Sequence, residues 1–449
     1  MALTSNECFK SVGKNVGREM KMHDGQGLAL TVSDNAAVSA YDAAVTEWLN
    51  YKITAMRTLK QAIEIDPDFC MAHCFRGYLF ATFNSAAVMP AAATSLAKAS
   101  ALEGTTSVRE QRHVAALRHL LEGAPHKACA CWDEITADHP HDILALRMHH
   151  YTCFWSGYRQ QLLALPSAVL SAWDNTVPHY GNLLGMLAFG LEELGLYDQA
   201  ERYGRDATDQ NPDDLWAVHA VAHVMEMQQR PADGINWLNY SSDHFRDFNP
   251  FRGHIWWHKG LFLIEAGSLD AALSLYDHAI HDNQSEFFLD VQNSVSFLAR
   301  LELNGVYVGD RWQELADIAA GNGDGHSLVF TDLHHIIALC RGKKFDNAAA
   351  YIASMQDFAA TQTSHTATVM KKVGVPIGQS LMAYEQGDYD TALDLMMTHR
   401  IFTPQLGASN AQRDLLALFG IDMARRARAW AVQARLSQER EFSRYLARP

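Results

Sequence analysis

The chain has 449 residues, 48% of them hydrophobic, enough for a sizeable core and, at about 150 residues per domain, for roughly three domains. Lys and Arg number 37 against 51 Asp and Glu, a formal charge of −14; that sign is wrong for neutralising a phosphate backbone and argues against nucleic acid and anionic membrane surfaces as partners. The unusual count is histidine, at 22, a neutral, switchable and metal-capable side chain.

Cys8, Cys70, Cys74, Cys129, Cys131, Cys153 and Cys340 are odd in number and contain no C-x-x-C pair, which reads as reduced thiols in a cytoplasmic protein. No leader with a basic start and a small-residue cleavage site opens the chain, and no run of about 18 apolar residues occurs in it. The expectation is a protein that neither spans a membrane nor carries an export signal.

A segment 1–35 precedes a repetitive region. Gly123, Gly195 and Gly267 recur 72 residues apart, each followed five residues later by Ala128, Ala200 or Ala272, and Pro67, Pro140 and Pro212 keep step with them. Half of 72 is 36, the length of one helix-turn-helix unit. In chain order the units are 36–67, 70–101, 109–140, 143–170, 182–212, 215–247 and a copy framed on Ala272 with its turn at Gly267. Residues 309–325 form a short helix and a glycine-rich loop, the expected irregularity. Units at 329–356 and 374–403 follow, and an Arg-rich helical stretch within 404–449 caps the array.

The unit at 182–212 is the clearest: a helical run to Gly195, a second run from Tyr197, then Asn211-Pro212. It resembles a tetratricopeptide repeat. With Ala200 at the twentieth of 34 positions, Ala188, Gly195, Ala207 and Pro212 all fall in slots that pattern fills with small, turn or closing residues. The resemblance implies an all-α solenoid, a right-handed superhelix of helix-turn-helix units over 36–403. Words outside the repeat consensus, REQRHV at 109–114, YDQAE at 197–201, NPDDLWAVHAVAHVMEM at 211–227, RW at 311–312, VGVP at 373–376 and GASNAQRD at 407–414, resemble the tetratricopeptide repeat protein 38 family, which implies the same fold without a settled chemistry.

In tetratricopeptide repeats, positions 2, 5, 9, 12 and 13 of the first helix line the concave groove. Carried over slot by slot, the resemblance puts His219, His223 and Glu226 there, and 3.6 residues per turn independently places them within a sector of about 60°. Two imidazoles and a carboxylate on one face suit a divalent transition metal or acid/base work; the bland rival is hydrogen-bonded packing between helices. The next first helix carries His254, Trp257 and His258. Neighbouring units add Arg147, Tyr151, Glu192 and Asp332, and the 409–414 stretch offers Asn410 and Arg413. Glu265, Glu193 and Glu385 share an E-x-G place before a turn and read as repeat consensus. His149-His150 reads as structural, Cys70-x3-Cys74 around His73 as a weak zinc signal, and His139 and His141 as solvated turn residues. Phosphate-loop, dinucleotide, serine-elbow and H-E-x-x-H motifs are absent.

Three functional expectations remain open: a groove that binds a small polar molecule or short peptide; an enzyme in that groove, either metal-dependent with His219, His223 and Glu226 as ligands and catalytic groups or using a histidine–acid pair; and a plain protein–protein adaptor. An adaptor needs a long open groove, whereas a site needs these residues closing on one compact cavity.

Overall fold

A computed structural model describes residues 22–240, 249–282, 285–322 and 325–446. Cys8, most of the 1–35 segment, residues 241–247 of the sixth unit, part of the 309–325 stretch and the last three residues lie outside them. The chain is an all-α solenoid of helix pairs. Its first helices are Asn35–Leu49, Cys70–Thr82, Val108–Leu121, Ile143–Ser156, Tyr180–Glu193, Leu215–Met227, Arg252–Glu265, Phe288–Leu303, Val329–Arg341, Val375–Gln386 and Asn410–Arg426, each followed by a second helix packed against it. Among the described residues no helix is long and apolar enough to cross a membrane.

The repeat is one helix pair, and the pattern of 72 is its partial imprint. Gly123, Gly195 and Gly267 end first helices with φ of +69°, +81° and +74°, the left-handed conformation that carries a chain out of a helix and that glycine adopts without a Cβ clash. Other units use Gly157 at +74°, but also Gln229 at +57° and Lys343 at +62°, so several turns lack the glycine that would mark them. The small-residue slot has an equally plain cause. A Cβ added at Gly260 would stand 2.2 Å from the Phe297 ring, inside any tolerable contact.

One whole unit is invisible to the repeat frame. The short helix expected within 309–325 is Trp312–Gly321, the second helix of a pair whose first is Phe288–Leu303. That first helix is buried along nearly its whole length, with Gln292, Asn293, Ser294 and Ser296 among its inward residues. A helix buried on all sides has no amphipathic stripe to read.

The array coils until distant units touch. Tyr51 stacks on Phe251 at 4.5 Å, Asn211 donates to Asn50 at 2.9 Å, Phe83 meets Phe287 edge-on, and the His365 amide donates to the Gly123 carbonyl at 3.0 Å. The C-terminal stretch, expected as a cap, also reaches inward. The Asn410 amide donates to Glu193 at 2.7 Å and Arg300 donates to the Ala411 carbonyl at 2.8 Å. Gly407 lies so close to Trp155 that a Cβ would stand 2.4 Å from its carbonyl. The concave face is therefore filled by the chain's own segment.

At the other end a hairpin, Met22–His23 with Ala29–Leu30, is held by the REQRHV word. Glu110 accepts from the Thr31 amide and hydroxyl at 2.9 and 2.7 Å, and Arg109 donates to the Ala29 carbonyl at 3.0 Å. Arg109 also pairs with Asp142 at 2.6 Å, and His113 meets the same oxygen at 3.0 Å; all three are buried. Burial alone would raise the Asp142 carboxyl, but His113 and Arg109 outweigh it and hold it well below the ordinary carboxylate range. Asp142→Asn leaves Arg109 buried without its charge partner, so a loss of about 3–5 kcal/mol is expected in urea unfolding near neutral pH. Because a lowered carboxyl stabilises above its unfolded pKa, that contribution fades in the wild type as pH falls below about 4. The variant should lack this part of the acid limb.

Candidate functional site

Leu215–Met227 starts at Asp214, whose carboxylate accepts from the Trp216 and Ala217 amides, and Arg252–Glu265 runs beside it in the next unit. Each presents two histidines one turn apart toward the other, His219 and His223 facing His254 and His258. All four are buried, at 0%, 0%, 2% and 0% exposure, and one ring nitrogen from each lies within 4.8 Å of one from every other. His219 Nε2 is the hub, 2.9 Å from His223 Nε2 and 3.1 Å from His254 Nε2.

The outer nitrogens explain the orientation. His254 Nδ1 donates to Asn293 Oδ1 at 2.8 Å and His258 Nδ1 donates to Glu226 Oε2 at 2.9 Å, which leaves both Nε2 atoms as lone-pair donors. His223 Nδ1 stands 3.5 Å from Glu192. His258 Nε2, His219 Nδ1, His223 Nδ1 and both Glu192 carboxylate oxygens have no hydrogen-bond partner. Burial, reinforced by the neighbouring imidazoles, pulls His219, His254 and His258 well below the usual histidine pKa, and burial lowers His223 against the opposing pull of Glu226. Burial and the nearby Glu226 push Glu192 up to about 8, so Glu192 and His223 meet as neutral groups and not as an ion pair. The arrangement is four neutral imidazoles aimed at one point, the protonation state that binds metal.

The structure divides the other expected site residues among different places. Arg147 and Tyr151 do converge with His219 and His254, in the wall of a cavity of about 270 Å³ that also has Tyr51, Trp216 and Phe251 in its lining. The Arg147 guanidinium lies 4.7 Å above the Trp216 ring and donates to the Tyr51 hydroxyl. Glu226 stands on the far side of the cluster, where a second cavity of about 270 Å³ is lined by Glu226, Arg300, Asp414 and Arg440. It is the outer partner of His258 and stands outside the group of converging nitrogens. Trp257 is fully buried, stacked on His254 at 5.2 Å with the Arg300 guanidinium over its ring at 5.3 Å; it packs against the cluster.

Asp332 sits elsewhere. It accepts from Tyr351 at 2.7 Å and from His326 at 3.1 Å, beside a separate cavity of about 440 Å³. Asn410 and Arg413 are anchors for the inward C-terminal segment: Arg413 holds the Gly407 carbonyl at 2.8 Å, Asn410 Oδ1 at 2.8 Å and Glu193 at 3.5 Å. The E-x-G glutamates carry ion pairs, Glu193 with Arg159 and Arg413, Glu385 with Arg341. Cys70 and His73 face different carbonyls, those of Ala99 and Pro67, so the weak zinc signal has no shared focus. His141 is half-buried and donates to the Ala172 carbonyl at 2.7 Å. His150 accepts from the Trp216 indole at 3.2 Å. Asn293 and Arg300 carry no repeat signature; the polar run Gln292-Asn293-Ser294 is the one local feature in the sequence that points to them.

A search of protein-family models finds no match. Among solved structures the chain is similar to the human IFIT1 dimer with m7Gppp-AAAA, at 13% identity over 93% of this chain and 92% of that one with a TM-score of 0.41. It is likewise similar to Cut9 in the APC/C hetero-tetramer Cut9-Hcn1, at 12% identity over 85% and 75% with a TM-score of 0.38. Yeast Tom70 follows at 13% identity over 88% of each chain, TM-score 0.29. Likeness at that level has no bearing on what this chain binds.

His219 tests whether the cluster is there for packing. A buried nitrogen without a partner costs about 1–3 kcal/mol, so in chelator-stripped protein His219→Leu should leave the unfolding free energy unchanged or raise it within that range. A loss of 2 kcal/mol or so in the same urea titration would mean the imidazole is a packing element.

Proposed function

We propose that this solenoid binds a transition-metal ion on His219, His223, His254 and His258 and takes a small molecule in the aromatic cavity beside it. The observation that carries the reading is the convergence of four buried neutral imidazoles, with the outer nitrogens of His258 and His254 held by Glu226 and Asn293. The two lone-pair nitrogens, His254 Nε2 and His258 Nε2, sharing one dry space are unfavourable without a cation or proton donor between them. The carboxylate–histidine and amide–histidine contacts match the outer shell that fixes tautomer and ring angle in metal sites. Ligands bonded to one tetrahedral ion at about 2.0–2.1 Å stand roughly 3.4 Å apart, close to the spacings around His219. An all-imidazole set suits zinc, copper, nickel or iron. The cavity's rings and its single guanidinium favour a flat, largely apolar molecule with one acceptor or anionic end.

Catalysis is the second reading, supported by the double membership of His219 and His254. Both stand in the cluster and in the cavity wall, so a bound molecule would meet the metal from that side, with the metal acting as a Lewis acid or redox centre. An adaptor role or a peptide in the concave groove fits less well, because residues 404–413 already fill that face. Membership of the tetratricopeptide repeat protein 38 family and residence in the cytoplasm stay within this proposal, supported by the words at 109–114, 211–227 and 407–414 and by the unpaired thiols.

Metal analysis of tag-free protein decides. His223→Ala with His258→Ala should remove one equivalent of metal per chain, and Glu226→Gln should weaken the affinity at that site by about 10–100-fold. Equal metal content in the double variant and the wild type would overturn the assignment.

A further inference from the structure

A second cluster lies two units away and takes no part in the site above. Helix Pro125–Asp138 carries Cys129 and Asp133 one turn apart, and Ile143–Ser156, the helix that follows it, carries His149 and Cys153 one turn apart. The two pairs face each other. Cys129 Sγ and Cys153 Sγ are 3.7 Å apart, Cys153 Sγ is 3.6 Å from His149 Nδ1 and 3.7 Å from its Nε2, and that Nε2 is 3.4 Å from Asp133 Oδ1. Both thiols and the imidazole are buried, whereas the Asp133 side chain is 57% exposed.

One ligand atom from each of Cys129, His149 and Cys153 lies within 4.8 Å of the others, and the sulfur–sulfur and sulfur–nitrogen spacings match edges of a tetrahedron around one ion. With zinc–sulfur bonds of about 2.3 Å and zinc–nitrogen bonds of about 2.0–2.1 Å, tetrahedral angles give roughly 3.8 Å between sulfurs and 3.6 Å from sulfur to nitrogen. We infer that Cys129, His149 and Cys153 form a zinc site that clamps the third unit to the fourth, with His149 binding through Nδ1 and Asp133 holding its Nε2 from outside. Zinc replaces the two thiol protons, which leave to solvent, and no electron is transferred. The exposed carboxylate marks the side from which the ion enters, and two thiolates select a soft divalent ion over calcium or magnesium. This site is independent of the four-histidine reading: its ligands include sulfur, and sulfur gives it a separate spectroscopic signature.

The test is a cobalt titration of the full chain, purified under reducing conditions and stripped with chelator. One equivalent of Co²⁺ should produce a near-ultraviolet thiolate-to-cobalt charge-transfer band, which imidazoles cannot produce, and Zn²⁺ should abolish it. The band should vanish in Cys129→Ser with Cys153→Ser and persist in His223→Ala with His258→Ala. Asp133→Asn, changed at a largely exposed side chain, should keep the band while weakening cobalt binding about tenfold or more. If the double-serine variant does not fold, zinc protection of Cys129 and Cys153 from alkylation in the wild type decides in its place. No band at excess cobalt, no protection by zinc, or a Cys129–Cys153 disulfide in the protein as isolated would each overturn the inference.

Discussion

Glu193 accepts from the first amide of the Asn410–Arg426 helix, and this contact closes the superhelix on itself. A carboxylate at a helix N-terminus is favoured by the unpaired amides and the helix dipole there, and Arg413 secures it from the same turn. With that segment inside, the first helices of the middle units face protein and not water. Everything distinctive about the interior follows from this exclusion. Imidazoles that would be ordinary solvated groups in an open groove become desolvated, neutral and short of partners, and the space left between helices becomes separate cavities and not one channel.

Against that background the four histidines stand out in energetic terms. Buried polar groups in proteins are satisfied with few exceptions, and Arg109, His113 and Asp142 obey the rule completely. The cluster at His219 does not. The outer nitrogens of His254 and His258 are supplied with partners, those of His219 and His223 are not, and the inner ones face each other, the pattern expected where the missing partner is a ligand and stability has been exchanged for function. The second cavity, lined by Glu226 and Arg440, leaves the outer partner of His258 close to polar groups on the C-terminal helices, so the segment that closes the fold also borders the site.

How much of this could be read from residues alone depends on whether the signal was local. His219 and His223, like His254 and His258, were legible because four-residue spacing on a helix fixes a shared face, and the groove slots put two such faces side by side. Glu226 was legible as a neighbour but not in its role: spacing shows a common face, whereas the atom it touches depends on the adjacent helix. Asn293 and the whole Phe288–Leu303 helix escaped, since a helix buried on all sides shows no amphipathic period. The inward path of residues 404–413 could not be read either, because contacts such as Glu193 to Asn410 join positions more than 200 residues apart. The recurrent words outside the repeat consensus mark such places. REQRHV pins the hairpin, GASNAQRD turns the chain inward, and VGVP contains Gly374, where a Cβ would stand 2.5 Å from Val329.

The central claim is that the closed interior binds a metal through imidazole nitrogen. X-ray absorption at the edge of the metal retained by protein carrying Cys129→Ser and Cys153→Ser addresses it most directly, since no cysteine pair then competes. A first shell of nitrogen at about 2.0–2.1 Å, with the outer-shell scattering of several imidazole rings, is the predicted result. A shell of oxygen without imidazole scattering, or no retained metal, would contradict the account.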